Sequence, residues 1–233
     1  MLAVTDLHSH YGQAHILQSL SFRVGPGEAL ALLGRNGAGK STTLKSIIGL
    51  LRPTAGRIMF NGIDIAGMEP HAIARLGIGY VPEERRIFAE LTVLENLEVG
   101  RRPARAGRPP WTPTRLFALF PNLAALCDRP AGRMSGGEQQ MLTIARGLMG
   151  NPDLILLDEP SEGLAPVIVA QMAVVIGQMR REGVTVLLAE QNLHFAAAVA
   201  DRAAVIETGR IVWAGATAAL LTNPQLRARH LAI

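Results

Sequence analysis

The nine residues from Gly34 to Thr42, GRNGAGKST, have the types and spacing of a phosphate-binding loop. They match the pattern G-x-x-x-x-G-K-[ST] with Gly34, Gly39, Lys40 and Ser41. Glycines let backbone N–H groups turn toward phosphate oxygens, the lysine reaches the β and γ oxygens, and the serine hydroxyl can bind Mg²⁺. We therefore predict that the whole loop contacts a nucleotide: Gly34, Arg35, Asn36, Gly37, Ala38, Gly39, Lys40, Ser41 and Thr42.

Two carboxylates follow an apolar run later in the chain, where LILLDE (154–159) ends in Asp158 and Glu159. Beside a bound nucleotide, the aspartate is placed to hold the Mg²⁺ shell and the glutamate to polarise the water that attacks the γ-phosphate. Acidic residues also end strands simply because they meet solvent there. The phosphate loop makes the catalytic interpretation the favoured one.

The stretch MSGGEQQML (134–142) puts Ser135, Gly136 and Gly137 directly before a helical segment. Serine is a preferred N-cap, and the glycines leave backbone N–H groups and the positive end of the helix dipole accessible to an anion. The alternative is a plain capped helix that binds nothing. On the first interpretation, one chain carries two segments suited to phosphate.

The elements that must position these residues alternate between strand and helix. Strands are predicted in 28–34, 56–62, 77–83, 153–159 and 184–190, and helices in 40–50 and 165–183. The continuous apolar runs at 153–159 and 184–190 are typical of strands buried on both faces of a parallel sheet. The pattern predicts an α/β core, with prolines marking turns from 103 to 113 and a mainly helical insertion over 86–150.

Composition restricts the classes to which the chain can belong. With 233 residues, of which 48% are hydrophobic, it can bury a full core. No apolar run approaches the roughly 18 residues of a membrane span, and the start, MLAVTDLHSH, lacks a secretory pattern. A single cysteine, Cys127, cannot form an internal disulfide, which fits a reducing cytoplasm. We expect any work at a membrane to go through a partner.

The net charge of +4 is mild support for an anionic partner. The densest basic run, RRPARAGR (101–108), contains prolines and a glycine and has no interleaved aromatic residues. A solvated connector is therefore favoured over a nucleic-acid patch.

With these motifs in this order, the chain resembles the ATP-binding cassette (ABC) ATPases from about Leu2 to Leu231, and MSGGEQQ is similar to the family's LSGGQ signature. The resemblance implies a P-loop cassette with a mainly parallel sheet core, an N-terminal antiparallel β part and a helical insertion. It implies one domain over 1–233, with the α/β core at 1–85 and 151–233 and the helical signature subdomain at 86–150.

The resemblance also implies a role for the second segment suited to phosphate, residues 134–142. Cassettes of this family pack head to tail, so that Ser135, Gly136 and Gly137 would contact the ATP held by the opposing phosphate loop. Tyr11 stands where relatives stack an aromatic ring on adenine, although a strand-end core tyrosine is the alternative. The SEGLAP segment (161–166) is similar to the loop that communicates across the dimer.

Two positions depart from the general family pattern, since Glu83 replaces a usual glutamine and Gln191 replaces the switch histidine. Together with YVPE, LTVLENLEVG, DEPSEGLAP and AEQN, they resemble the second ATP-binding subunit of branched-chain amino acid importers, the LivF type. Glu84 and Glu162 stand where that subgroup usually has glycine and leucine. The resemblance implies three catalytic residues, Glu159, Lys40 and Gln191, and three ligands of Mg²⁺, Ser41, Glu83 and Asp158.

The expected function is hydrolysis of ATP with Mg²⁺ to power import of branched-chain or related amino acids. The expected partners are a second cassette of a different chain, transmembrane permease subunits and, indirectly, a solute-binding protein, with no nucleic acid. The chain would lie peripherally on the cytoplasmic face of the inner membrane. Residues 84–97 are the candidate docking surface for the permease, with Phe88 and Leu91 as apolar contacts, unless these side chains belong to the core of the insertion.

Three alternatives stay open at this point. The same subgroup includes importers of amides and urea. A cassette ATPase that acts on nucleic acid would carry a long coiled coil or a second cassette, and 233 residues without sustained heptads provide neither. A nucleotide-gated module that does not hydrolyse ATP would explain the missing histidine, but Glu159 argues against it.

Overall fold

The computed structural model describes residues 1–105 and 107–230. Its strands are β1 (Leu2–Tyr11), β2 (Ala14–Val24), β3 (Ala29–Leu33), β4 (Ala55–Phe60), β5 (Ile63–Asp64), β6 (Ile78–Val81), β7 (Leu154–Asp158), β8 (Thr185–Glu190), β9 (Arg202–Glu207) and β10 (Arg210–Ala216). Its α-helices are α1 (Lys40–Ile47), α2 (Pro70–Leu76), α3 (Val93–Val99), α4 (Pro113–Leu119), α5 (Pro121–Ala124), α6 (Gly136–Met149), α7 (Pro166–Arg181), α8 (Leu193–Val199), α9 (Thr217–Thr222) and α10 (Pro224–His230).

Two sheets form, and they differ in strand direction. The first is antiparallel in the order β2-β1-β4-β5. The second has the order β10-β9-β3-β8-β7-β6 and is parallel except for the edge pair of β10 with β9. The fold is therefore α/β with a mainly parallel core sheet and an N-terminal antiparallel part, as predicted.

The parallel sheet is buried on both faces, which explains its continuous apolar strands. In β3, Leu30 and Leu32 face one core cluster, shared with α1 and the antiparallel sheet, while Ala31 and Leu33 face the other, shared with α6, α7 and α8. This alternation follows from the two-residue period of a strand. Because β9, β3, β8, β7 and β6 run parallel, their carboxyl ends lie at the same edge of the sheet. The loops that carry the candidate site begin at this edge.

The segment from 86 to 150 contains α3 to α6 and a long irregular connection between α3 and α4. Asn151 fixes this connection to the core, because its side-chain oxygen accepts from the Trp111 amide at 2.8 Å and its side-chain nitrogen donates to the Arg102 carbonyl at 2.8 Å. The division into core and helical subdomain remains a prediction from the resemblance.

The predicted helices exist, but their ends differ from the prediction. Helix α1 stops at Ile47 rather than continuing to 50, since Gly49 adopts a left-handed conformation with φ +81°. Helix α7 begins at Pro166, whose fixed φ suits the first helical turn. Among the described residues, no helix has the length and apolar character needed to cross a membrane.

Candidate functional site

The phosphate loop connects the end of β3 to the start of α1, as its sequence requires. Gly39 immediately precedes the helix with φ +112°, a conformation that side chains with a Cβ rarely adopt. Gly34 lies so close to β9 that a Cβ would collide with the carbonyl oxygen of Ile206. These two glycines let the loop turn tightly, and Lys40 and Ser41 then begin the helix.

The Lys40 ammonium group lies inside the loop rather than in solvent. Its Nζ donates to the carbonyl oxygens of Gly34 at 2.8 Å and Arg35 at 3.1 Å and forms an ion pair with Glu159 Oε1 at 2.9 Å. Both partners of the pair are buried, at 4% and 7% exposure. The predicted phosphate-binding lysine is therefore paired with the predicted catalytic glutamate.

Burial dominates the electrostatics of Glu159. It raises the pKa of Glu159 to about 7, and the hydrogen bond and charge of Lys40 offset only part of this effect. A carboxyl that titrates near neutral pH is suited to general-base catalysis. The residue also has φ +45°, an uncommon conformation for a glutamate, and its amide donates to the Ala189 carbonyl at 2.9 Å.

Asp158 is the last residue of β7, and both of its carboxylate oxygens accept hydrogen bonds. Ser41 Oγ donates to Oδ1 at 2.8 Å, and the hydroxyl of Tyr80, on the neighbouring strand β6, donates to Oδ2 at 3.0 Å. Burial raises the pKa of Asp158, while these two hydrogen bonds lower it. Tyr80 remains a donor across the physiological range, since its own burial and the charge of Asp158 raise the pKa of its hydroxyl.

Gln191 approaches the site through its backbone. Its amide donates to Glu159 Oε2 at 3.2 Å and to Glu190 Oε2 at 3.0 Å, whereas its side chain is exposed. Glu190, which is buried, also accepts from the amides of Asn192 at 3.0 Å and Ser161 at 3.1 Å. This carboxylate thereby fixes the loop that begins at Gln191 and the segment after Glu159.

A cavity of about 290 Å³ opens at this point. Its walls bring together predicted residues from three separate parts of the chain: Asn36, Gly37, Gly39, Lys40, Ser41, Thr42, Glu83 and Glu159. Two further residues line it, Ile16 and Glu162. Burial and the neighbouring charges of Glu162 and Asp158 raise the pKa of Glu83.

The donor set fits Mg²⁺. Ser41, Asp158 and Glu83 present hard oxygen atoms at this site, which is the ligand type that Mg²⁺ prefers. Within the described part of the chain, no group of three or more histidine, cysteine or acidic residues could hold a metal. Sparse protein ligands are typical of a Mg²⁺ ion that also binds substrate phosphates.

Other predicted residues lie outside this cavity. Tyr11, at the end of β1, is 48% exposed, so the alternative of a core tyrosine is wrong. Ser135 is the N-cap of α6 as predicted: its Oγ accepts from the Glu138 amide, and the Glu138 carboxylate accepts from the Ser135 amide. Gly136 and Gly137 form the first turn of that helix.

Sequence reasoning missed Tyr80, Glu190 and Ile16 at the site. Tyr80 lies in the predicted strand 77–83, but no local pattern signals that it reaches Asp158, 78 residues away. Glu190 ends a buried strand in the same manner as Asp158, and that similarity was the available signal. Ile16 is an ordinary apolar strand residue and carries no signal.

The sequence profile of the ABC transporter family matches residues 17–162. The chain is 46% identical over 231 residues to the high-affinity branched-chain amino acid transport ATP-binding protein BraG of Pseudomonas aeruginosa, covering 99% of each. It is 35% identical over 224 residues to the probable branched-chain amino acid transport ATP-binding protein LivF of Archaeoglobus fulgidus, covering 96% of this chain and 95% of the relative. It is 34% identical over 233 residues to the lipopolysaccharide export system ATP-binding protein LptB of Escherichia coli, covering 99% and 96%.

Solved structures share the fold over nearly the whole chain. A nucleotide-free ATP-binding cassette from an ABC transporter has 28% sequence identity and a TM-score of 0.83, covering 97% of this chain and 96% of that one. The ADP conformation of an ATP-binding cassette has 28% identity and a TM-score of 0.82 with the same coverage.

Proposed function

Because the chain belongs to the ABC transporter family of ATP-binding proteins, we propose that it is the ATPase subunit of an importer for branched-chain amino acids. The observation that carries the proposal is the convergence of Lys40, Ser41 and Glu159 at one cavity, with Asp158 bonded to Ser41 behind it. The solute class is supported by the names of the relatives from P. aeruginosa and A. fulgidus, which cover this chain at 99% and 96%.

In the proposed reaction, Lys40 leaves Glu159 and binds the β- and γ-phosphates of ATP. Glu159, released from the ion pair, accepts a hydrogen bond from the attacking water and polarises it toward the γ-phosphate. The side-chain amide of Gln191 donates a hydrogen bond to a γ-phosphate oxygen. Ser41, Asp158 and Glu83 would hold Mg²⁺, which when bound neutralises charge on the phosphate oxygens.

We assign the signature segment to the ATP of a second cassette. Ser135 is exposed, and the three signature residues lie outside the cavity that contains Lys40. The Ser135 amide is bonded to Glu138, so the Ser135 hydroxyl and the first-turn amides of Gly136 and Gly137 are the groups offered to an opposing molecule. The proposed partner cassette is a different chain. Closure of the head-to-tail dimer around two ATP molecules would then do mechanical work on the permease, and hydrolysis would reset it.

The proposed docking surface for the permease is the segment 84–97. Phe88 is 47% exposed, and Arg146 lies 4.9 Å from the centre of its ring. Asn96 holds the segment in place, because its side chain accepts from the Phe88 amide and donates to the Phe88 carbonyl, both at 3.0 Å. Leu91 is half-buried. The chain would thereby bind peripherally at the cytoplasmic face of the inner membrane, with a solute-binding protein acting through the permease.

The nucleotide-binding half of the proposal is tested with Lys40→Ala. Equilibrium binding of a fluorescent ATP analogue should be abolished, because the phosphates lose the lysine that reaches them from the loop. Lys45→Arg is the matched control, since it changes the chain's other lysine on the same helix and keeps the positive charge that acts on Glu83 and Asp158. Unchanged affinity in Lys40→Ala would overturn the assignment of the loop.

The transport half is tested on the complex purified with its neighbouring subunits. In vesicles that contain ATP, labelled leucine, isoleucine or valine should accumulate, and Glu159→Gln should stop accumulation. Uptake of urea or a short amide in place of these amino acids would assign the importer to the related solute class. Phosphate release without any solute uptake would contradict an import function.

A further inference from the structure

Tyr80 lies in the YVPE segment, to which the sequence alone assigns no chemical role, and it bonds directly to a carboxylate of the ATPase site. Its hydroxyl donates to Asp158 Oδ2 at 3.0 Å, while Ser41 occupies Oδ1 at 2.8 Å. Asp158 is 1% exposed, so these donors do not compete with bulk water. The two hydroxyls together fix the rotation of the carboxylate about its terminal bond.

The register of the parallel sheet explains how a tyrosine on another strand reaches this carboxylate. Tyr80 on β6 is paired with Leu156 on β7, and Asp158 follows two residues later. Side chains at positions j and j+2 of a strand point to the same face. A diagonal neighbour on the adjacent strand lies farther away than a residue directly opposite, and a long side chain such as tyrosine can span that distance.

The rest of the tyrosine is held by packing. Its ring is partly buried against the core cluster that contains Leu154, Leu156 and Ile78. Packing explains an aromatic ring at this position, but it does not explain the hydroxyl, since a phenylalanine would pack in the same place. The hydroxyl is therefore explained by its hydrogen bond to Asp158.

We propose that Tyr80 is a positioning residue that holds Asp158 in the orientation needed for Mg²⁺ at the ATPase site. The proposal rests on the proposed function, which makes Asp158 part of the Mg²⁺ shell. A hydroxyl has two lone pairs, so Ser41 can donate to Oδ1 and bind the metal at the same time. Tyr80 supplies the second donor, which prevents the carboxylate from turning away from that geometry.

The test is the substitution Tyr80→Phe, which removes the hydroxyl and keeps the ring. Loss of a partner that orients a metal ligand typically costs about 10–100-fold in metal affinity. The Mg²⁺ concentration that half-saturates binding of a fluorescent ATP analogue should therefore rise at least about tenfold. Binding of the same analogue in EDTA should stay within about twofold of the unsubstituted chain, because the contacts of Lys40 and the loop do not involve Tyr80.

Ser9→Ala is the matched control for loss of a buried hydroxyl. Ser9 lies on the antiparallel sheet and bonds to Ser46 at 2.9 Å, and Ser46 keeps its own bond to the Thr42 carbonyl at 2.8 Å. This variant should leave the Mg²⁺ midpoint unchanged. A double-mutant cycle with Asp158→Asn adds specificity: if Tyr80 acts through Asp158, Tyr80→Phe should not shift the midpoint further in that background.

Three outcomes would overturn the proposal. One is an unchanged Mg²⁺ midpoint in Tyr80→Phe, and another is an equal loss of binding with and without Mg²⁺, which would make the hydroxyl merely structural. The third is a full additional shift in the Asp158→Asn background. If the unsubstituted chain bound no nucleotide at all, the proposed function would fail as well, and that result is distinct from the first three.

Discussion

At the scale of single residues, the ion pair between Lys40 and Glu159 sets the electrostatics of the site. The two groups are 2.9 Å apart and almost fully buried. In the proposed reaction, ATP takes the lysine from the glutamate, and the glutamate is then left beside the phosphates with the charge it needs to polarise water. The pair thus keeps both groups neutralised until substrate arrives, since an unpaired buried charge is costly.

This arrangement predicts opposite pH dependences for binding and turnover. Burial raises the pKa of Glu159 to about 7, so the carboxyl is protonated below that pH and ionised above it. As the pH rises from about 6 to about 8, kcat/KM for ATP should increase because the general base becomes available. Nucleotide affinity should decrease over the same range, because the carboxylate now binds Lys40 and repels phosphate.

Glu159→Gln separates this effect from titration of the nucleotide. Its amide cannot ionise, so the pH dependence due to Glu159 should disappear, and only that of the nucleotide and of the remaining carboxyls, Glu83 and Asp158, should persist. Phosphate release should fall at least about 100-fold. Equilibrium binding and phosphate-release assays on the same buffers measure both quantities. A binding curve for the unsubstituted chain that runs parallel to that of Glu159→Gln would show that Glu159 does not titrate in this window.

At the scale of elements, α6 joins the signature to the interior of the molecule. Its first turn is fixed by the reciprocal bonds of Ser135 and Glu138, and its later residues Leu142, Ile144 and Leu148 are fully buried. The helix start is therefore rigid but open to solvent. A rigid, accessible helix start is suited to binding the phosphate of an opposing cassette.

Ser135→Arg should leave nucleotide binding by the isolated chain unchanged and stop phosphate release by the assembled complex. The reason is that the arginine adds bulk where the opposing ATP would bind and does not touch the chain's own cavity. Glu138→Ala is the control for the lost cap: it breaks the capping box without adding bulk, at a cost of ~1 kcal/mol in stability. Weakened binding by isolated Ser135→Arg would argue against the cross-dimer role.

At the scale of the whole molecule, the fold is a layered arrangement in which a few polar side chains connect distant segments. Asn151 is the clearest case, since it is 7% exposed and bonds to both Trp111 and Arg102. Arg115 and Glu182 form an ion pair nearby that joins α4 to the end of α7. These contacts hold the irregular connection after α3 against the α/β core.

Asn151→Ala should lower the melting temperature strongly. The buried Trp111 amide and the partly buried Arg102 carbonyl lose their partners, and alanine is strained at φ +49°. The combined cost of ~2–4 kcal/mol corresponds to about 5–15 °C for a chain of this size. Asn122→Ala, at an exposed position of α5, is the matched control and should shift the melting temperature by less than about 2 °C. Differential scanning calorimetry measures both, and equal shifts would show that Asn151 does not connect the two parts.

The sequence alone determined the features that arise within short segments. The phosphate loop, the carboxylates at the end of β7, the serine cap of α6 and the buried parallel strands all follow from residue types at fixed spacing, and the structure places them as predicted. The predicted positions of the helix ends were less accurate, because single residues such as Gly49 decide where a helix stops.

Only the tertiary structure decided which of these segments meet, and through which atoms. The bond from Ser41 to Asp158 spans 117 residues and that from Tyr80 to the same carboxylate spans 78, and no local pattern encodes either distance. The pairing of Lys40 with Glu159, the position of Glu162 in the cavity wall and the exposed side chain of Gln191 depend likewise on strand order and register. Local propensity fixes each element, but packing of the buried sheet fixes their relative positions, and the chemistry of the site depends on those positions.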